Sequence, residues 1–224
     1  MLRSAVSCTV VFAISGLIAP AFAGPDWTEV GDAGSSLATA QLPAGVGQIR
    51  SIAGSLGGEA QDPDFEDMYI IGISDPTTFR LDLLSANFDA QLFIFNITLS
   101  GGALGLLAND NVSEGNNAPA LTSISTDGTN ALLDLPGLYL IGVAGAGRNP
   151  VSAGGLIFDI ASPTEISGAD GPGGLLRLSG WEGNGEVGDY SIDMTSTIFP
   201  QIPAPAGAAL LGLGGLVSTR RRRS

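Results

Sequence analysis

Histidine and lysine are absent from this 224-residue sequence, and its single cysteine, Cys8, lies in an apolar run near the N-terminus. Without histidine, the chain has no imidazole for a metal site and no Ser/His or Cys/His pair for nucleophilic catalysis. Once the N-terminal run is removed, the rest has neither a disulfide nor a thiol nucleophile. These absences exclude most hydrolase chemistry and thiol redox chemistry, so we expect a protein that is not an enzyme.

Positive charge is scarce as well. The segment 24–203 holds all 22 acidic residues and only four basic ones, a formal net charge of −18. A surface of this charge repels phosphate groups, which argues against nucleic acid as a partner and favours cations. A hydrophobic content of 44% still provides for the packed core of one domain. The four basic residues are Arg50, Arg80, Arg148 and Arg177.

The first 23 residues have the three parts of a secretory signal peptide. Arg3 precedes an apolar stretch over residues 5–18, and Ala21 and Ala23 provide the small side chains that signal peptidase requires before its cleavage point. Two alternatives remain open: an uncleaved membrane anchor, and a lipoprotein acylated at Cys8, although most of the apolar run follows this cysteine. We therefore predict export to the cell envelope or the extracellular space.

The C-terminal end combines a proline motif, a short apolar stretch and a basic cluster. A Pro-rich linker at 198–205 leads into a predicted hydrophobic helix at 206–219 and an arginine-rich tail at 220–224. The twelve apolar residues 206–217 would reach only about 18 Å as a helix, less than the roughly 30 Å hydrocarbon core. The arginines are expected to stay cytoplasmic. The residues of this signal are Pro203, Ala204, Pro205, Arg220, Arg221, Arg222 and Arg223.

This order of segments resembles the PEP-CTERM sorting signal, which an exosortase recognises and cuts. The resemblance implies attachment to the membrane, transient or permanent, through the C-terminal helix, with processing near Pro203. It also implies that an exosortase-type enzyme acts on the chain in addition to signal peptidase. Ala204 stands where the family motif has glutamate. The alternative is a C-terminal helix with no role in sorting.

Between the two ends, short apolar runs alternate with Gly, Asn, Asp and Pro, and no helical stripe of ten or more residues occurs. We predict an all-β domain over 24–197, with about nine short strands in a two-sheet sandwich of jelly-roll-like topology. Residues 78–83 alternate cleanly, with Phe79, Leu81 and Leu83 inward. Runs at 68–73, 91–97 and 138–143 are apolar on both faces, as in central or covered strands. Further strands are expected at 49–56, 104–108, 120–125, 156–160, 175–178 and 190–194.

Five short motifs of this domain resemble the bacterial pre-peptidase C-terminal domain, a β-sandwich accessory module of secreted enzymes and surface proteins. They lie at 64–69, 88–95, 107–111, 136–143 and 188–192. The stretch from Gly180 to Tyr190, followed by the sorting signal, is similar to planctomycete-type secreted proteins of unassigned function. The resemblance implies a fold and an extracellular compartment, and no reaction.

The dense run of carboxylates from Glu59 to Asp67 suggests a site for a hard cation. Ca²⁺ takes several oxygen ligands at about 2.3–2.6 Å, which closely spaced carboxylates before a strand can supply. Loops at 89 and 109–111 would add ligands if the sandwich brings them to the same end, and domains that resemble this one sometimes carry calcium at such a cluster. The alternative is a solvated acidic loop, because the spacing differs from the EF-hand pattern. The predicted calcium ligands are Asp62, Asp64, Glu66, Asp67, Asp89 and Asp110.

Trp181 lies between glycines and has two interpretations, a sugar-stacking platform on a loop or a plug over one end of the core. We expect a structural or adhesive protein of the extracellular matrix or envelope, which binds polysaccharide or copies of itself. A carbohydrate-binding module that uses the Trp181 loop is the alternative, and a glycoside hydrolase with a carboxylate pair is a more distant one. With two Trp and three Tyr in the chain, there is little material for an aromatic sugar cleft.

Overall fold

The computed structural model describes residues 26–59, 62–85 and 87–201, and the regular secondary structure of this part is β-strand except for one 3₁₀ helix at Pro76–Thr78. The predicted signal peptide, sorting motif, C-terminal helix and arginine tail lie outside the described residues. Within these ranges the strands are β1 (Trp27–Thr28), β2 (Ser51–Ser55), β3 (Gly57–Glu59), β4 (Asp62–Asp64), β5 (Glu66–Ile73), β6 (Arg80–Ser85), β7 (Ala90–Ile97), β8 (Ala103–Asn109), β9 (Ala120–Thr122), β10 (Gly137–Gly145), β11 (Asn149–Ser152), β12 (Gly155–Leu156), β13 (Ile166–Gly168), β14 (Leu178–Glu182), β15 (Asp189–Thr195) and β16 (Thr197–Ile198).

Two large sheets face each other across the main core. The five-stranded sheet has the order β1-β2-β15-β6-β9, and the six-stranded sheet has the order β13-β8-β7-β10-β5-β16. Leu81 and Ile192 from the first sheet pack in one buried cluster with Tyr69 and Leu92 from the second. The predicted all-β sandwich is therefore confirmed. None of the described residues belongs to a helix that is long and apolar enough to cross a membrane.

The alternation in β6 shows how sequence pattern becomes packing. Phe79, Leu81 and Leu83 are buried, while Arg80 and Asp82 lie on the other face. Successive side chains of a strand point to opposite faces, so one face of β6 joins the core. Each fully buried leucine contributes about 1.5–3 kcal/mol relative to an exposed one. The predicted inward face of this strand is confirmed.

The six-stranded sheet is covered on both faces. On its outer face Phe93 and Phe95 belong to a second buried cluster, which also contains Ile157 and Phe158. A three-stranded sheet of order β12-β11-β14 contributes to this layer through Leu178 and neighbouring residues. This third layer explains why β5, β7 and β10 have apolar residues on both faces.

Two strands predicted from apolar runs are misplaced. In the run 156–160 only Leu156 lies in a strand, and in the run 175–178 only Leu178 does, while Leu175 is 94% exposed. The physical reason is backbone pairing. The carbonyl groups of residues 156 and 157 accept hydrogen bonds from Gly173 and Gly171, which belong to an irregular glycine-rich loop rather than to a strand.

The register of β5, β10 and β7 sets the position of the acidic residues. Val143 in β10 pairs with Asp67 and with Leu92, and the next residue of β10 pairs with Glu66 and with Gln91. Because neighbouring residues of a strand face opposite ways, Asp67 faces the main core, and Glu66 and Gln91 face the outer layer. The acidic end of this sheet therefore has two chemically separate faces.

Candidate metal centre

Three carboxylates meet at one end of the main core. Asp32 lies between β1 and β2, Asp64 ends β4, and Asp67 is the second residue of β5. One carboxylate oxygen of each lies within 4.8 Å of the others. Two oxygens bound to the same Ca²⁺ are separated by at most about 5 Å, since each lies about 2.3–2.6 Å from the ion. This three-aspartate cluster (Asp32, Asp64 and Asp67) therefore has the spacing of a ligand set.

Asp67 is the most deeply buried member of the cluster. Its side chain is fully buried, its Oδ2 accepts a 2.6 Å hydrogen bond from the Tyr190 hydroxyl, and its Oδ1 accepts one of 3.2 Å from the backbone N–H of Ala33. The Tyr190 hydroxyl also lies 2.6 Å from that of Tyr69. The pKa of Asp67 is raised to about 8, chiefly by burial and also by the nearby carboxylates of Glu29 and Asp64, against the lowering effect of the hydrogen bond from Tyr190.

Glu29 joins the cluster from the end of β1. Its two oxygens accept hydrogen bonds from the backbone N–H groups of Ala33, at 3.1 Å, and Ser55, at 2.8 Å. Burial raises the pKa of Glu29. Burial also raises the pKa of Asp64 to about 7, and the negative charges of Asp32 and Glu29 add to this effect. The cluster therefore concentrates more negative charge than its surroundings compensate.

The described arginines do not supply the missing positive charge. Each of the four makes its polar contact elsewhere, so the cluster has no basic side chain among the described residues. A carboxylate group in this situation takes up protons or binds an external cation. The contacts are Arg50 with Asp26 at 3.2 Å, Arg80 with Asp82, Arg148 with Glu66 at 2.7 Å, and Arg177 with the Ser100 hydroxyl at 2.5 Å.

The structure brings only part of the predicted ligand set together. Asp64 and Asp67 are in the cluster, whereas Glu66 faces the outer layer and forms an ion pair with Arg148 at 2.7 and 3.1 Å. The side chains of Asp62 and Glu59 lie outside what the structure describes. Glu66 therefore serves the ion pair rather than the three-aspartate cluster.

Glu29 and Asp32 are members of the site that sequence reasoning missed. They precede the predicted ligands by some thirty residues, and no spacing pattern connects the two segments. Their proximity follows from the parallel pairing of β1 with β2 and from a bridge between Gln41 and Tyr69. Only the folded chain provides this signal.

Asp89 and Asp110 lie away from the three-aspartate cluster. Asp89 directly precedes β7 and Asp110 directly follows β8, at the same end of the six-stranded sheet. Leu92 pairs with Asn109, and the neighbouring positions Gln91 and Asp110 face the outer layer. The predicted ligands thus separate into two groups, one on each face of the sheet.

Trp181 lies in β14 and packs on the second core. Its ring is edge-to-face with Phe93, with centroids 5.4 Å apart, and its indole N–H donates a 2.9 Å hydrogen bond to the carbonyl group of Ser35. The side chain is half-buried. These contacts are those of a packing residue and occupy the indole N–H that a sugar would use.

No known family model matches the chain, and no curated protein matches it in sequence. The resemblances to the PEP-CTERM signal and to the pre-peptidase C-terminal domain therefore rest on the residues quoted for them and stay predictions.

Proposed function

We propose that this protein is an exported, non-enzymatic β-sandwich module of the extracellular matrix or cell envelope, and that Ca²⁺ bound at the three-aspartate cluster completes its fold. The observation that carries the proposal is the meeting of three carboxylate oxygens within 4.8 Å at the end of the main core. The described arginines are all engaged elsewhere. An extracellular divalent cation is the charge that such a cluster lacks.

The donor set fits a hard cation. It consists of oxygens only, with no thiolate or imidazole, which favours Ca²⁺ or Mg²⁺ over softer metals. Asp32 is exposed and opens the cluster to solvent, whereas Asp67 is buried. Each Asp67 oxygen accepts one hydrogen bond and has a further lone pair for a metal. Water from the exposed side would complete the coordination.

Binding at this place would cross-link distant parts of the chain. Asp32 belongs to the segment that leads into the sandwich, and Asp64 and Asp67 belong to β4 and β5. An ion shared by these strands holds that segment against the core and binds only the folded state. The described chain has no disulfide to do this, so calcium provides the link suited to an extracellular compartment.

The strand order supports the jelly-roll part of the proposal. Without the short edge strand β1, the five-stranded sheet has the order β2-β15-β6-β9, and without the edge strands β13 and β16 the six-stranded sheet has the order β8-β7-β10-β5. Counted along the chain, these eight strands interleave as 1-8-3-6 and 5-4-7-2, the order of two Greek keys wrapped into a jelly roll. Folds of this type occur in many binding and capsid proteins, so the order supports a fold and no particular ligand.

Thermal unfolding of the purified full chain in CaCl₂ and in a chelator tests the calcium site. We expect calcium to raise the Tm, because a ligand at 100 times its Kd stabilises the folded state by about 2.7 kcal/mol. Asp64→Asn should show a smaller rise than wild type. Asp134→Asn is the matched control, because Asp134 is exposed and lies outside the cluster. An equal rise in wild type and Asp64→Asn would contradict the proposal.

The adhesive role is supported by the predicted export signals and by the strongly acidic composition of residues 24–203. We expect the full chain to co-sediment with an extracellular polysaccharide, or to self-associate, in CaCl₂ and to do so less in a chelator. Absence of both interactions in CaCl₂ would remove the adhesive part and leave the calcium site to be judged by the unfolding experiment.

A further inference from the structure

Three buried oxygen atoms lie at the acidic end of the outer face of the six-stranded sheet. They are Asp89 Oδ1, Gln91 Oε1 and Asp110 Oδ1, and none has a hydrogen-bond partner among the described residues. Gln91 is only 6% exposed. Native proteins rarely leave a buried acceptor unpaired, so three together indicate a missing donor or cation.

The strand register brings these acceptors together. Leu92 pairs with Asn109, so the next pair of this antiparallel ladder places Gln91 opposite Asp110. The side chain of Gln91 is hydrogen-bonded to Asp110, and the carboxylates of Asp110 and Asp89 are close enough to repel each other. Asp89 lies two residues before Gln91, directly before the start of β7.

A cavity gives access from solvent to two of these residues, Gln91 and Asp110. Its volume is about 430 Å³, and Gln91 and Asp110 line it together with Asn149 and Asp159. The lining thus contains amide and carboxylate oxygens. The space exceeds that of one ion, which leaves room for the water molecules that Ca²⁺ keeps in a partly solvated site.

The chain does not fill this place with a basic side chain of its own. Arg148 contacts the same outer face through Glu66. Its guanidinium is engaged there, because it forms the ion pair with Glu66 and donates a 2.7 Å hydrogen bond to the carbonyl group of Gly183. A further carboxylate adds to the negative charge, since Glu186 Oε2 accepts a 2.8 Å hydrogen bond from the backbone N–H of Asp89. Water alone would donate to these oxygens without neutralising their charge.

We propose that Asp89, Gln91 and Asp110 bind a second calcium ion, separate from the one at the three-aspartate cluster. The ion would bridge the start of β7 and the end of β8 on the outer face. Two carboxylate oxygens and one amide oxygen, with water from the cavity, form the hard oxygen set that Ca²⁺ prefers. The two ions would bind opposite faces of the same end of the sheet.

Calorimetric titration of the chelator-treated full chain with CaCl₂ tests the second site. We expect two ions per wild-type chain, one in Asp110→Asn, one in Asp64→Asn, and none in the double variant. Asp134→Asn is the control and should keep two. Asp110→Asn preserves side-chain shape and adds an N–H donor for the unpaired acceptors, so it should also melt higher than wild type in chelator.

The pattern of losses separates this proposal from the proposed function. Equal ion counts in wild type and Asp110→Asn, or a lower Tm of that variant in chelator, would overturn the second site. A single ion that Asp64→Asn loses and Asp110→Asn keeps would overturn the second site alone. A single ion with the reverse pattern would support the second site and overturn the first. Asp89→Asn, compared by circular dichroism and titration, repeats the test if Asp110→Asn does not fold.

Discussion

The two faces of the acidic end of the six-stranded sheet both bury carboxylates, but they differ in the hydrogen-bond donors that these carboxylates have. On the core face, Asp67 and Glu29 accept hydrogen bonds from backbone N–H groups and from Tyr190. On the outer face, Asp89 and Asp110 each keep a buried oxygen without a partner. The carboxylates of the core face thus have donors and lack only positive charge, whereas Asp89 and Asp110 lack a positive partner and also keep one oxygen each without a donor. This difference predicts how each face responds when charge, protons or donors are changed.

Arg148→Met is the change with the largest expected effect. Glu66 is 6% exposed, and Arg148 is its ion-pair partner at 2.7 Å. Removal of one partner leaves a buried charge uncompensated, which typically costs about 3–5 kcal/mol. We expect a loss of this order in the free energy of unfolding, measured by urea denaturation in CaCl₂.

Calcium titration of Arg148→Met sharpens the comparison. Because Glu66 is engaged with Arg148 and not with the three-aspartate cluster, the number of ions per chain should equal that of wild type. A free Glu66 that recruits an additional ion, or a loss of one ion, would show that the two faces are not independent. The double variant Arg148→Met/Glu66→Leu should recover stability, since it removes the buried charge as well.

The pH dependence of the free energy of unfolding, measured in chelator, is the next largest expected effect and distinguishes the two faces. The pKa values of Asp64 and Asp67 are raised to about 7 and about 8, chiefly by burial. The folded chain therefore keeps protons that the unfolded chain has lost by about pH 4. Since the folded state binds more protons, the free energy of unfolding should fall as pH rises from about 4 to about 8. Urea denaturation across this range in chelator provides the measurement.

The outer face should contribute to this pH dependence of the free energy of unfolding over a narrower pH range. Burial raises the pKa of Asp110 to about 6. Asp110→Asn should therefore reduce the fall in the free energy of unfolding below about pH 6. Asp64→Asn should reduce this fall up to about pH 7. Saturating CaCl₂ should reduce the decline in wild type, because the ion replaces the protons. A decline that is identical in all three proteins would refute the assignment.

The fold was predictable where one residue pattern had one physical solution. The alternation around Leu81 requires one buried face, and the apolar run that contains Phe93 requires cover on both faces, which the third layer supplies. The run at Leu175 misled because hydrophobicity alone does not provide a backbone partner. Whether an apolar residue lies in a strand depends on which carbonyl groups are free, and that is a property of the folded chain.

The site was predictable only within one segment. Asp64 and Asp67 belong to the dense acidic run, but Glu29 and Asp32 come from a different segment that pairs with the core only after folding. The apolar run predicts a strand that starts at residue 68, whereas β5 begins at Glu66. With the strand start placed there, the period of two would have predicted that Glu66 and Asp67 face opposite sides.

Tyr190→Phe is the smallest change and tests the donors of the core face directly. The Tyr190 hydroxyl lies 2.6 Å from Asp67 Oδ2 and 2.6 Å from the Tyr69 hydroxyl. Its removal leaves Tyr69 close to Asp67 without the donor between them. Above about pH 8, where Asp67 is ionised, the loss of a hydrogen bond to a charged group costs about 1.5–3 kcal/mol. Tyr139→Phe is the matched control, because its hydroxyl donates to a neutral carbonyl group, that of Leu135 at 2.7 Å. We expect this control to lose about 0.5–1.5 kcal/mol.

Calcium should change the ranking of the two tyrosine variants if the core face binds an ion. A bound Ca²⁺ compensates the negative charge of Asp67, which in the ion-free protein is partly offset by the hydrogen bond from the Tyr190 hydroxyl. The cost of Tyr190→Phe should therefore shrink in CaCl₂ relative to chelator. The cost of Tyr139→Phe should be the same in both. A cost of Tyr190→Phe that is unaffected by calcium would show that this hydrogen bond is structural and is not coupled to cation binding on the core face.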